Sequence, residues 1–213
     1  EENPVTNLDG LKNLVSVRCD LTITAAYTGE TLAGLENLTA CESLRIGSAA
    51  HPNETLRQLS LPALKEIKGD LCVYGTALQT ADFKSLQSVA GHFVLQSDAL
   101  LQLTADELTT VAGNMTLIGT TADEAKAPCE QMYFPKLQRI DGTLTLSRFD
   151  RLSGLGTTFG VLTQAGALRY EHLALANTFE FPLIETTGNI TVTDCPILRS
   201  VLLLSLIHIS EPT

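Results

Sequence analysis

Five cysteines, four histidines, two internal acid pairs and four N-x-[ST] triplets are the residues of this chain with chemistry to offer. The cysteines are Cys19, Cys41, Cys72, Cys129 and Cys195, and no two form a Cys-x-x-Cys pair. Zinc and thioredoxin-type sites, which need closely spaced thiolates, are therefore unsupported. Cys19 and Cys41 stand 22 residues apart, which is also the shortest interval of the repeat described below. Stacked one above the other at about 4.8 Å, they would fall within disulfide range. The spacing thus predicts a Cys19–Cys41 bridge, with two buried free thiols as the alternative. The odd total leaves at least one further thiol unpaired within the chain.

The histidines are His51, His92, His172 and His208. None neighbours a Ser, Cys or carboxylate at a spacing that defines a nucleophile or general base. Asp106-Glu107 and Asp123-Glu124 are acid pairs in turns, and a cation site would need oxygen ligands converging from several segments. The chain is therefore expected to be non-catalytic, with no metal and no cofactor. The triplets begin at Asn37, Asn53, Asn114 and Asn189. Four potential N-glycosylation sites beside a plausible disulfide point to the secretory pathway and an extracellular or cell-surface location.

What would position these residues is a phrase that recurs along the chain. Its clearest copies are Leu64-x-x-Ile67-x-Gly69-x-Leu71-x-Val73 and Leu137-x-x-Ile140-x-Gly142-x-Leu144-x-Leu146. Two more run from Leu86 to Leu95 and from Leu108 to Leu117, and looser copies place Cys19, Glu42, Gly166 and Gly188 in the glycine slot. The slots fall at 19, 42, 69, 91, 113, 142, 166 and 188, intervals of 22 to 29 residues. A period of this size marks a solenoid. The end of each phrase alternates apolar and polar residues, which is strand periodicity. Leu-x-x-Ile reads as a tight corner before the strand. The glycine suits a bend where a Cβ would crowd the next coil. Leu78, Leu101, Leu152 and Leu198 mark a second inward segment.

The expected fold is an all-β solenoid, a right-handed parallel β-helix of about eight coils of 22–29 residues. Residues 1–203 form one domain, with Leu8 to Leu14 as an N-terminal cap. Residues 204–213 read as the in-frame translation of a sequencing-library adapter, which makes the chain a fragment. Two longer intervals hold polar loops, Gly47 to Thr55 and Ile118 to Cys129. The outward strand positions form two columns. Asp70, His92, Thr116, Thr143, Thr145 and Arg169 within them are the candidate ligand face.

Composition narrows the partners. The 213 residues carry a formal net charge of -10, which disfavours nucleic acid. The apolar run Val201 to Ile209 is too short to span a bilayer, so membrane association would come only through an anchor. The sequence assigns no oligomeric state.

The repeated phrase, with Leu61-Pro-Ala-Leu64, Phe134-Pro-Lys-Leu137 and Phe181-Pro-Leu183 as coil starts, resembles the receptor L domain. That module forms ligand-binding lobes of insulin-receptor and epidermal-growth-factor-receptor ectodomains. Related repeats occur in fungal GPI-anchored cell-wall proteins. The resemblance spans about residues 8 to 200 and implies a leucine-rich-repeat-like β-helix that recognises rather than catalyses. It points to a recognition or adhesion module binding an extracellular protein or glycan through an outer face or corner loops. The alternatives are a structural GPI-anchored wall or surface component and, more remotely, a β-helix polysaccharide-degrading enzyme. An ice-binding solenoid would need regular Thr-x-Thr steps, and only Thr143/Thr145 supplies one.

Overall fold

The computed structural model describes residues 5–119, 128–152 and 158–203. The suspect tail 204–213, with His208, and the acid pair Asp123-Glu124 lie outside the described residues. The chain winds into a parallel β-solenoid of about eight turns. A 14-stranded sheet, a 4-stranded sheet and a 2-stranded sheet enclose its core, and all paired strands run parallel.

Strand register turns the repeated phrase into columns. Leu21, Leu44, Leu71, Phe93, Met115, Leu144, Leu168 and Ile190 stack one above another. Two residues on, Ile23, Ile46, Val73, Leu95, Leu117, Leu146, Tyr170 and Val192 form a second inward column. On the opposite wall Leu59, Ala81, Leu103 and Met132 stack in the 4-stranded sheet. From Leu44 to Leu168 the first column is wholly shielded from solvent. Each such side chain stabilises the fold by roughly 1.5–3 kcal/mol, provided a coil lies on both sides of it.

The Leu-x-x-Ile spacing begins at a turn. Leu64 N–H donates to Leu61 O at 3.1 Å, Leu86 to Phe83 at 2.9 Å and Leu137 to Phe134 at 3.3 Å. Both apolar ends of each turn are buried, so one hydrogen-bonded corner delivers two core side chains. The glycine slot is explained by close approach. A Cβ on Gly113 would lie 2.7 Å from the backbone of Gly91, beneath it. The slot glycines also form their own ladder, with Gly91 N–H on Gly69 O at 2.8 Å and Gly113 N–H on Gly91 O at 2.9 Å.

Two expectations are corrected. Leu101 is 51% exposed and its neighbour Leu100 is the core residue, because the turn after strand Phe93–Gln96 places residue 100 inward. Cys19 and Cys41 are free thiols. Cys41 stacks on Val17 below and Ile67 above, facing the core, whereas Cys19 is exposed. The sequence interval matched a coil length, but the two residues occupy different positions within the coil.

The two ends differ. At the N-terminus Leu8 and Leu14 pack against the core around the 3-10 turn Asp9–Leu11, as expected of a cap. Gly34, at φ 105°, accommodates this segment, for a Cβ there would strike the Leu8 carbonyl. At the other end Ile190 and Val192 occupy the inward columns yet are 37% and 38% exposed. They have a coil on one side only among the described residues.

Candidate recognition face

The outward residue after each glycine is held by its neighbours. Asp70 N–H donates to Ser43 Oγ at 3.3 Å. His92 N–H donates to Asp70 Oδ1, Asn114 N–H to His92 Nδ1 and Thr143 N–H to Asn114 Oδ1, each at 2.9 Å. Every step joins a side-chain acceptor on one coil to a backbone donor on the next. The bend beside the glycine leaves that N–H outside the strand pairing, and the polar side chain below satisfies it. As an acceptor, His92 Nδ1 carries no proton in this arrangement.

The six residues of the expected ligand face do lie along the main sheet. Thr116, Thr145 and Arg169 are consecutive register neighbours. Asp70, His92 and Thr143 belong to the adjacent column, joined through Asn114. The acceptors of Asp70 and His92 are thus engaged in the scaffold. Asp70 also pairs with Arg45 at 3.2 Å, and Arg45 reaches Asp20 at 3.6 Å. Arg169 pairs with Glu171 at 2.6 Å.

The 4-stranded sheet presents a second outer face that the repeated phrase did not reveal. Gln58, Thr80, Gln102 and Gln131 form one outward column, and Ser60, Asp82, Thr104 and Tyr133 the next. Two shallow depressions adjoin there and share Gln102. One, of about 320 Å³, is lined by Thr80, Asp82, Lys84, Gln102, Thr104 and Asp106. The other, of about 310 Å³, is lined by Leu101, Gln102, Glu130, Gln131 and Tyr133. Asp82 Oδ1 accepts hydrogen bonds from Lys84 N–H and the Thr104 hydroxyl, both at 3.1 Å. The signal for this face was present in the sequence: Thr80/Gln102 and Asp82/Thr104 are each one 22-residue coil apart.

The remaining candidates separate by environment. Burial raises the thiols of Cys41 and Cys129 to about 11. Burial, then the neighbouring Asp70 carboxylate, raises Cys72. His172 Nδ1 lies 3.4 Å from Asp194 Oδ2 on the next coil, an exposed pair that a 22-residue offset would have disclosed. Glu107 of the pair Asp106-Glu107 binds Lys136 at 2.7 Å. Among the described residues no three His, Cys, Asp or Glu side chains converge as a metal site. No described helix is long and apolar enough to cross a membrane.

Of the four sequon asparagines, Asn53 is the buried one. It is 0% exposed, and its Nδ2 donates to Tyr27 O at 2.8 Å. Its Oδ1 accepts Leu56 N–H at 2.7 Å and Thr55 N–H at 3.1 Å. The Gly47 to Thr55 loop is therefore anchored by this side chain to the coil below. Asn37, Asn114 and Asn189 are exposed.

The class that fold and face define is a parallel β-solenoid with flat polar outer walls. Comparison with family models, with curated proteins and with solved structures returns no match.

Proposed function

We propose that this chain is a non-catalytic recognition or adhesion module of the cell exterior, binding a glycan or polar protein surface on the outer wall of its solenoid. The observation that carries this reading is the outer face of the 4-stranded sheet. There, amides, hydroxyls and carboxylates recur at strand register along two adjoining shallow depressions, beside the exposed Tyr133 and Leu101. Amide and carboxylate groups held at fixed spacing can donate to and accept from ligand hydroxyls or backbone groups. An exposed ring supplies an apolar contact. Because the columns belong to a rigid sheet, little ordering accompanies binding. The resemblance to receptor L domains and to fungal wall repeats supports the same class of role.

The test is a glycan and protein array probed with the recombinant protein. Saturable binding is expected, with at least tenfold loss on Gln102→Arg or Thr104→Arg. Retention in insoluble wall material with no array ligand would replace the reading with a structural wall component. Release of reducing ends from pectin-like polymers would replace it with a polysaccharide-degrading enzyme.

A further inference from the structure

We propose that Asn114 and Asn189 carry N-linked glycans and that Asn53 does not, so that the main sheet is sugar-shielded and recognition is directed elsewhere. The inference rests on the secretory part of the reading above and adds which sites are used. The four sequons are equivalent as triplets, and the fold separates them. Asn53 is enclosed, with both amide atoms bonded to main chain. A sugar on that nitrogen would expel the side chain and open the loop between Tyr27 and Tyr74, to whose carbonyl Asn53 N–H also donates at 2.8 Å. Asn37 Nδ2 is engaged with Lys12 O at 2.8 Å in the N-terminal cap and forms no part of the pair.

Asn114 is different. Its Oδ1 is held by Thr143 N–H at 2.9 Å, so the amide nitrogen faces away from that rung, and the residue is exposed. Glycosylation uses only the nitrogen. Nδ2 forms a bond to the anomeric carbon of an oligosaccharyl pyrophosphate lipid and loses one proton. The bond from that carbon to the pyrophosphate oxygen breaks, and the lipid pyrophosphate leaves. The carbonyl oxygen keeps its bond to Thr143, so the ladder survives modification. Asn189 holds the corresponding outward position on the last described rung of the main sheet, with its main-chain carbonyl accepting Leu168 N–H at 2.9 Å as that of Asn114 accepts Phe93 N–H at 2.8 Å, and it too is exposed.

Three coil steps separate the two residues along one column, about 14 Å at strand spacing. Thr116, Thr145 and Arg169 lie in the next column of the same strands, beneath the two glycans. The outer face of the 4-stranded sheet holds none of the four sequons.

The experiment expresses the full chain behind a cleavable secretion leader in a eukaryotic host. Total and secreted protein are treated with peptide-N-glycosidase in heavy-oxygen water, and the peptides are weighed. Heavy aspartate is expected at 114 and 189, with unlabelled Asn53. Thr116→Ala and Thr191→Ala, which break the sequons without touching the ladder, should each remove one glycan's mass. Asn53→Gln should lower the midpoint of thermal unfolding by several degrees more than Thr116→Ala. An unmodified Asn114 or Asn189, or a label at Asn53 in folded protein, overturns the proposal. The same material on the array separates the two readings: glycans without a ligand sink only the recognition role, and a ligand without glycans sinks only this one.

Discussion

Cys41 and Cys129 illustrate how a residue's identity leaves its chemistry open until its surroundings are known. Both are thiols within a dry interior, and burial raises each to about 11 from an ordinary 9.0. A folded-state value above the unfolded one means the native state binds more protons between pH 9 and 11. Stability supplied by these neutral thiols is thus fully present below about pH 9 and is lost as pH rises through 11. Unfolding free energy should fall across that window, by roughly 2–3 kcal/mol per thiol at most. The double variant Cys41→Ala/Cys129→Ala should show a flatter profile in urea titrations, and an unchanged slope would refute the account. The predicted Cys19–Cys41 bridge failed on a related point. The 22-residue interval matches the coils further along, but the first coil is longer, with Val17 paired to Cys41 and Leu21 to Leu44, so Cys41 stands over Val17 rather than over Cys19.

At the scale of the element, the repeated phrase was almost fully legible. The corner, the bend and the strand appeared in the order the sequence implied, and the glycine slot was required by crowding. Gly113→Ala should therefore cost about 1–3 kcal/mol through displacement of the Gly91 backbone. Gly10→Ala, where a Cβ meets nothing within 4 Å, should be nearly neutral. Equal midpoints in urea for the two variants would contradict the close-approach explanation. The side-chain ladder through Ser43, Asp70, His92 and Asn114 was not legible. Those residues share no residue type, only acceptor capacity, so their column reads as ordinary solvated surface until the backbone donors beside them are seen.

For the whole molecule, stability is a sum over neighbouring coils. Coils in the centre are covered on both sides and Ile190–Thr193 on one among the described residues. Native-state hydrogen exchange should therefore slow from the Ile190–Thr193 rung toward the strands Leu71–Tyr74, Phe93–Gln96 and Met115–Ile118. Leu117→Ala should cost about 2–5 kcal/mol, and Val192→Ala well under half of that. Uniform protection along the chain would mean that the tower unfolds as one unit, and the nearest-neighbour picture would fail.

By itself the sequence determined the solenoid, its number of turns and the inward columns. Apolar side chains repeated at a coil's length can be buried only by stacking, whatever the details between them. It also supplied the sequons and the cysteines as types. Only the tertiary structure decided which of them meet solvent, which meet the core, and which meet each other. Loop anchoring placed Asn53 inside, strand register set Cys41 over Val17 rather than Cys19, and the 4-stranded wall assembled a face from residues that lie outside the repeated phrase. Those outcomes depend on register between coils, a quantity set by packing across space rather than by order along the chain.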